Sequence, residues 1–300
     1  MTNILSGFAD EASGSLETQV HATRELGWSH IEMRNVEVPG FPAGNLHDIP
    51  DTAFDRLVET LGKQGLSVHC FGSAIANGGK SIEKPFDACR GEARRAAARM
   101  PRLGSKFIRI MSYPILPGKE QMEKERFRRL REIQKILGDA GATVVHENCG
   151  NYGGMGWTYS LKLLENVPGL KLVFDMGNCV HDFDYTREPP YPRQSAWEFY
   201  SHIRDHIAHL HIKDGIITEK GEHIHLYPGE GAGDVKRIVK DLLGGGYSGA
   251  ISIEPHIGVA PEFKNAASPE EGRYQTYVEY GKRLMKLLAE VEREVIQRSP

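Results

Sequence analysis

Four residues of types that commonly bind metal ions lie at the ends of apolar segments in the second half of the chain. His211 belongs to the segment Ala208–Asp214, and Glu147, Asp175 and Glu254 each follow a hydrophobic run directly. Successive side chains of a strand point to opposite faces, so polar residues at alternate positions near a strand end are candidates for one shared face. Three carboxylates with one imidazole form an oxygen-rich donor set that suits Mn²⁺, Mg²⁺, Co²⁺ or Zn²⁺. The pattern predicts that the four side chains converge on one divalent metal ion.

The same residues have a simpler interpretation, in which carboxylates at strand ends pair with nearby lysines and arginines. Four such residues after four successive strands favour a ligand set over four separate ion pairs. His209 differs, because it lies one layer below His211 on the same strand face. We therefore predict that His209 is a hydrogen-bonded core residue outside the ligand set.

Segments with strand and helix periodicity alternate along the chain. The predicted strands are Ile4–Ala9, His30–Asn35, Ser67–Phe71, Phe107–Met111, Thr143–Glu147, Leu170–Asp175, Ile207–Ile212 and Ala250–Glu254. The predicted helices are Leu16–Leu26, Thr52–Gln64, Phe86–Leu103, Gln121–Gly138, Thr158–Asn166, Ala196–Asp205, Val235–Leu243 and Glu270–Arg293. Alternating strands and helices imply a parallel sheet, and eight units in 300 residues predict a single-domain (β/α)₈ TIM barrel spanning residues 1–300.

A doubly wound open sheet is the alternative α/β architecture. It predicts a glycine-rich phosphate-binding turn after the first strand. The segment at that position, Ala9–Gly14, contains no G-x-G-x-x-G motif. The barrel is therefore the favoured architecture, and it places the candidate site at the C-terminal mouth, where strand ends and the following loops meet.

Composition restricts the classes of partner. The formal net charge is −3, and 40% of the residues are hydrophobic, so nothing indicates a general attraction to nucleic acid or to an anionic membrane. We find no apolar run long enough to span a bilayer and no secretory signal. The 4 cysteines are widely spaced and form no Cys-x-x-Cys pair, which argues against a zinc knuckle and a disulfide framework. We expect a cytoplasmic protein with a small-molecule partner, and the sequence leaves homo-oligomer formation open.

Several strand-end motifs together resemble the xylose isomerase-like TIM-barrel superfamily, which contains sugar isomerases, epimerases and endonuclease IV. The motifs are His146-Glu147-Asn148, Phe174-Asp175-Met176-Gly177-Asn178, His211-Ile212-Lys213-Asp214, Pro228-Gly229-Glu230-Gly231 with Asp234, and Ser252-Ile253-Glu254-Pro255-His256. The resemblance implies that Glu147, Asp175, His211 and Glu254 are the metal ligands. It also implies that Glu147 and Glu254 are the acid/base pair.

One position departs from the pattern of many family members. They carry histidine three residues after the aspartate of the sixth strand, whereas this chain has Asn178. Asparagine ligates metals poorly but can hydrogen-bond a substrate hydroxyl. The departure counts against a nuclease site with several metals, and it leaves the particular epimerase reaction open.

Polar residues around the same strand ends are candidate substrate contacts. They are His69, Arg109, Asn178, His181, Lys213 and His256. Two of them have a structural alternative, which is an ion pair with a nearby carboxylate. The carboxylates are Asp214 or Glu230 for Lys213, and Glu32 or Glu147 for Arg109.

The predicted function is a metal-dependent isomerase or epimerase of a sugar, a keto-sugar or a sugar derivative. A cation bound to the carbonyl would stabilise an enediolate while the two glutamates remove and return a proton. A dehydratase or lyase acting on a keto-sugar, keto-cyclitol or keto-glycoside is the alternative, because the same enolate can expel a leaving group. An abasic-site endonuclease and a non-catalytic sugar-binding subunit are the remaining hypotheses.

Overall fold

The strands form one eight-stranded parallel sheet and two short antiparallel hairpins. This arrangement is seen in a computed structural model that describes residues 3–297. The strands are β1 (Leu5–Gly7), β2 (His30–Met33), β3 (Asn35–Val36), β4 (Gly44–Asn45), β5 (Ser67–Gly72), β6 (Phe107–Ile110), β7 (Thr143–Glu147), β8 (Lys171–Asp175), β9 (Ile207–Ile212), β10 (Asp214–Ile217), β11 (His223–Leu226) and β12 (Ala250–Ile253). The parallel sheet has the order β1-β12-β9-β8-β7-β6-β5-β2, and the other pairs are β3-β4 and β10-β11.

The barrel closes where β1 meets β2. An isolated parallel bridge joins Phe8, just beyond β1, to Glu32 in β2. With this contact the eight strands complete a nearly closed cylinder, so the predicted single-domain (β/α)₈ TIM barrel is confirmed. The predicted boundaries of 1 and 300 stay a prediction, because residues 1–2 and 298–300 lie outside the described part of the chain.

Helices follow the barrel strands and cover the outside of the sheet. They are α1 (Leu16–Glu25), α2 (Asp51–Lys63), α3 (Asp87–Leu103), α4 (Glu123–Asp139), α5 (Trp157–Asn166), α6 (Met176–His181), α7 (Ala196–Ile203), α8 (Val235–Gly244) and α9 (Pro269–Ile296). Serines at positions 15, 195 and 268 cap α1, α7 and α9 by accepting a backbone N–H bond. Within residues 3–297, none of the helices combines the length and the apolar character that a membrane crossing requires.

Two elements near the barrel mouth were not predicted. Helix α6 has only six residues, too few for a helical hydrophobic period, and it begins where Asp175 accepts bonds from the N–H groups of Gly177 and Asn178. The β10–β11 hairpin extends the connection after β9 and pairs Asp214 with Leu226 at its base. Both elements contribute side chains to the mouth.

Asp214 holds the connection after β9 in place. Its Oδ1 accepts hydrogen bonds from the N–H groups of Gly215 and Gly233, and its Oδ2 accepts from those of Gly229 and Gly231, each at 2.9 Å. A Cβ atom at Gly231 would lie 2.3 Å from the Asp214 Oδ1, so this close approach requires glycine. One buried carboxylate therefore ties the hairpin to the loop that leads into α8.

Replacing Asp214 with asparagine is expected to lower the free energy of unfolding by about 2–6 kcal/mol, since the amide keeps one acceptor oxygen and leaves two N–H groups unpaired at about 1–3 kcal/mol each. Urea titration followed by circular dichroism measures the change. Asp139→Asn is the control, because Asp139 is exposed and pairs with Lys135 on the surface of α4. Equal effects of the two substitutions would contradict the role given to Asp214.

Candidate metal centre and active site

Four side chains from neighbouring barrel strands meet at the mouth. Glu147 ends β7, Asp175 ends β8, His211 lies near the end of β9, and Glu254 directly follows β12. All four are buried, and their potential ligand atoms lie within 4.8 Å of one another. The structure thus brings together the four residues that the sequence singled out, because parallel strands end at the same edge of a barrel.

His211 presents one ring nitrogen to this cluster and the other to the barrel interior. Its Nδ1 lies 3.8 Å from Glu147 Oε2 and 3.6 Å from Glu254 Oε2, and this buried atom has no hydrogen-bond partner. Its Nε2 lies 3.2 Å from Glu32 Oε2. Burial acts to lower the pKa of His211, but the charges of Glu32, Glu147 and Glu254 raise it well above its usual value. Nδ1 is therefore the ring nitrogen that faces the mouth.

Lys213 lies between two of the carboxylates. Its Nζ is 2.7 Å from Asp175 Oδ2 and 3.0 Å from Glu254 Oε2. Burial acts to lower the pKa of Lys213, and the negative charges of Asp175, Glu254 and Glu147 raise it above its usual value. A Cβ at Gly177 would lie 2.6 Å from the Cγ of Lys213, so a glycine is needed beside the lysine stem.

The ion-pair partners of Lys213 differ from those that the sequence suggested. The carboxylate of Asp214 accepts backbone N–H groups, and Glu230 pairs with Arg283 at 2.8 Å. The lysine instead crosses to Asp175 and Glu254, which belong to other strands. Its ammonium group is therefore part of the cluster and is not a structural ion pair at the rim.

Arg109 and Asn178 hold Glu147 from two sides. The Arg109 guanidinium donates to Glu147 Oε2 at 2.6 Å, and the Asn178 amide donates to Glu147 Oε1 at 3.1 Å. Burial and Glu254 act to raise the pKa of Glu147, but Arg109 and His211 lower it to about 2. Of the two carboxylates suggested for Arg109, the structure selects Glu147. Arg109 and Asn178 thus both donate to Glu147, and their predicted role as substrate contacts stays a prediction.

Asp175 differs from Glu147 in its ionisation. Burial raises the pKa of Asp175 to about 7, with further contributions from Glu254 and Glu147 that outweigh the lowering by Lys213. Asp175 therefore titrates near neutral pH, whereas Glu147 is ionised there.

Glu254 is held by a second set of polar groups at the mouth. Its Oε1 lies 3.1 Å from an Arg34 guanidinium nitrogen and 3.2 Å from the His256 Nε2. Arg34 also pairs with Asp10 and Glu11. Burial acts to raise the pKa of Glu254, but Lys213, His211 and His256 lower it well below its usual value. Glu254 is therefore ionised, as Glu147 is.

Phe8 forms the floor beneath both arginines. The Arg34 and Arg109 guanidinium carbons lie 4.5 and 4.8 Å from the centre of its ring, within cation–π range. The same ring packs edge-on against His211 at 5.0 Å. Phe8 is fully buried, and the groups it contacts come from the end of β2, from β6 and from β9. Sequence analysis gave no role to Phe8 or Arg34, because their partners are remote along the chain.

Four histidines line one side of the mouth, and we call them the histidine strip. Successive ring centres are 4.4 Å apart between His181 and His223, 4.2 Å between His223 and His225, and 5.3 Å between His225 and His256. Burial and neighbouring positive charge lower the pKa of His181 to about 4 and that of His225 to about 3. The imidazoles of His181 and His225 are therefore uncharged at neutral pH. The sequence identified His181 and His256, but the two hairpin histidines were missed.

His69 lies elsewhere. Its ring packs 5.2 Å from Phe107 and 5.2 Å from His209, in the layer below His211. It is the third residue of β5 and therefore lies toward the N-terminal end of the barrel. His69 is therefore placed below the cluster, and its predicted role as a substrate contact stays a prediction. His209, by contrast, is fully buried and hydrogen-bonded to Glu32 at 2.9 Å, as predicted for a core residue.

The protein is a (β/α)₈ barrel with a nearly closed parallel sheet, and it carries a buried cluster of carboxylates and an imidazole at its C-terminal mouth. The family model described as xylose isomerase-like TIM barrel matches residues 20–284. The chain belongs to this family. A search of curated protein sequences found no match.

Several solved structures have a fold similar to that of this chain. An L-ribulose 3-epimerase is 16% identical with a TM-score of 0.69, covering 100% of this chain and 99% of its own. The probable 3-DHS dehydratase AsbF from Bacillus anthracis is 17% identical with a TM-score of 0.67, covering 95% and 99%. A xylose isomerase-like TIM barrel protein from Mycobacterium smegmatis, in complex with magnesium, is 16% identical with a TM-score of 0.67, covering 96% and 98%. At these identities the similarity establishes the fold.

Proposed function

We propose that this protein is a divalent-metal-dependent isomerase or epimerase of a sugar, a keto-sugar or a sugar derivative. One observation carries the proposal: two ionised glutamates, one aspartate and an unpartnered imidazole nitrogen converge within 4.8 Å at the barrel mouth. The fold family includes epimerases and a probable dehydratase, which supports an enzymatic role. The substrate class is therefore a small carbohydrate or a related keto compound.

The donor set fits a single hard divalent cation. Glu147, Asp175 and Glu254 would supply oxygen ligands, and His211 would supply Nδ1, a buried atom that has no hydrogen-bond partner. Carboxylate and imidazole donors are compatible with Mn²⁺, Mg²⁺, Co²⁺ and Zn²⁺. The magnesium complex of a protein with the same fold supports the proposal of a metal centre.

Such a cation would polarise the substrate carbonyl and stabilise the negative charge that develops on its oxygen. Glu147 removes a proton from the carbon beside that carbonyl, and Glu254 delivers a proton to the neighbouring carbon or to the opposite face. The two glutamates suit these roles because Glu147 ends β7 and Glu254 follows β12, with β8 and β9 between these strands. A substrate bound at the cluster would therefore meet the two carboxylates from different directions.

The surrounding side chains keep this pair in position. Arg109 and Asn178 fix Glu147, whereas Arg34, Lys213 and His256 fix Glu254. A carboxylate with a pKa of about 2 is a weak base, so Glu147 can deprotonate only a carbon acid that is already activated. Proton transfer therefore depends on accurate placement together with polarisation of the carbonyl.

A dehydratase or lyase is the second candidate, and a specific feature of Glu254 favours it. Lys213 and His256 both contact this carboxylate, and both have a raised pKa. Burial acts to lower the pKa of each, but the neighbouring carboxylates outweigh it. His256 thus lies where an acid could protonate a departing hydroxyl or alkoxide, whereas Lys213 holds its proton too tightly to be that acid and would instead stabilise the developing negative charge.

Solvent isotope incorporation distinguishes the two reactions and tests the proposal. We expect Mn²⁺-loaded protein in D₂O to introduce deuterium beside the carbonyl of at least one member of a panel of ketopentoses, ketohexoses, 3-keto-glucosides and keto-cyclitols. Mass spectrometry and proton NMR detect the exchange. Isomerised or epimerised product without loss of mass supports the first candidate, and loss of water or an alcohol supports the second. The absence of exchange across the panel with metal bound would contradict both.

A further inference from the structure

Glu32 is a buried carboxylate that the proposed reaction does not use. It lies in β2 inside the barrel, one layer below the metal cluster, and is fully buried. Its Oε2 is 2.9 Å from His209 Nε2 and 3.2 Å from His211 Nε2, and its Oε1 is 3.3 Å from His211 Nε2. The thiol of Cys70 is close to the same carboxylate. Glu32 therefore joins a core histidine to a candidate metal ligand.

The direction of these hydrogen bonds determines the state of His211. An ionised carboxylate can only accept hydrogen bonds, so both imidazole Nε2 atoms must donate to it. When His211 carries a single ring proton, that proton is on Nε2 and the lone pair is on Nδ1. This is the nitrogen that faces Glu147 and Glu254.

We propose that Glu32 is a positioning residue that fixes the tautomer and the ring orientation of His211, so that Nδ1 is presented to the metal. The inference rests on the metal centre proposed above. Phe8, packed edge-on against the imidazole, restricts rotation of the ring from one side. Outer carboxylates that hold a ligating histidine in this way typically contribute about 10–100-fold to metal affinity.

His209 supplies a matched control. It contacts the same oxygen of Glu32 but does not face the cluster, so its replacement leaves the bond from Glu32 to His211 intact. A purely structural role of the buried network predicts similar consequences for both substitutions. A positioning role predicts that metal binding depends on Glu32 far more than on His209.

The test compares the wild-type chain with Glu32→Gln and His209→Gln. Zn²⁺ affinity is measured by competition with a chelator, and histidine proton–nitrogen correlation spectra are recorded for the Zn²⁺-loaded proteins. We expect Glu32→Gln to weaken Zn²⁺ binding about 10–100-fold. In the spectrum of Glu32→Gln, the signal of the slowly exchanging Nε2 proton of His211 should shift or disappear. This signal is assigned from its absence in His211→Asn. We expect His209→Gln to stay within about threefold of wild type and to keep that proton.

Two kinds of result would overturn the inference, and only the second would also overturn the proposed metal centre. Equal Zn²⁺ affinity of Glu32→Gln and wild type, or equal weakening by both substitutions, removes the positioning role and leaves the metal centre standing. Failure of the wild-type chain itself to bind Zn²⁺ removes the metal centre and the inference together. If Glu32→Gln does not fold, Glu32→Asp is used instead, because it keeps the charge but withdraws the carboxylate from His211 by one methylene.

Discussion

Glutamine at position 147 or 254 is expected to reduce kcat by about 10³-fold, in the middle of the range for loss of a general acid or base. The amide preserves the size of the side chain but cannot take up a proton. The measurement is turnover of the substrate identified by isotope exchange, at saturating Mn²⁺, with bound metal counted by mass spectrometry. Metal counting is essential because both residues are also candidate ligands, so loss of metal must be separated from loss of proton transfer.

The control for this pair is Glu92→Gln. Glu92 is also buried, and it pairs with Lys80 at 3.0 Å, outside the cluster of Glu147, Asp175, His211 and Glu254. We expect its replacement to leave kcat unchanged within about twofold, as for most substitutions outside a site. Glu147→Gln and Glu254→Gln each retain one carboxylate of the acid/base pair. We therefore also expect each variant to exchange deuterium into one epimer without converting that epimer into the other. Unchanged turnover in metal-loaded Glu147→Gln and Glu254→Gln would refute the two-glutamate mechanism.

Metal affinity is expected to increase about 10–100-fold for each pH unit between pH 5 and 7, because one or two protons must leave before the cation binds. Burial raises the pKa of Asp175 to about 7, so this carboxyl is protonated below that pH. The pKa of His211 is raised by Glu32 and by the two glutamates, so its Nδ1 also carries a proton. Protonation blocks both ligands, and raising the pH frees them. Above pH 7 the dependence should become shallower, since only His211 then releases a proton.

Calorimetry in buffers of different ionisation enthalpy counts the protons that Mn²⁺ releases. We expect between one and two protons at pH 6. Asp175→Asn provides the comparison, since it removes one of the titrating groups, and it should reduce the count by about one even though the affinity is lower. A pH-independent affinity, or no proton release at pH 6, would show that the cation does not bind at these two ligands.

The barrel and its four-residue cluster could be predicted from local patterns in the sequence. Glu147, Asp175 and Glu254 each follow an apolar strand, and the parallel topology alone brings strand ends to one edge. The direction in which a strand side chain points is also predictable from alternation, as His209 and His211 show. These features depend on a few consecutive residues and on the fold class.

The network around the cluster could not be predicted, because it joins residues that are distant in the chain. Arg34 reaches Glu254 across 220 positions, and Glu32 reaches His211 across 179. The hairpin histidines were missed for another reason: β11 is a four-residue strand that belongs to no βα unit. The layer of His69 could not be predicted either, since alternation gives the face of a strand but not the layer to which a residue belongs.

The seam at which the cylinder closes has a consequence for motion. Between β1 and β2 the closure consists of the bridge from Phe8 to Glu32, whereas β9, for comparison, is joined to β12 by a ladder of four residue pairs. Phe8 and Glu32 are also the two residues that hold the imidazole of His211 from the side and from below. Opening of the barrel at this joint would therefore displace the imidazole of His211, so that the geometry of the proposed metal centre would depend on how well this joint stays closed.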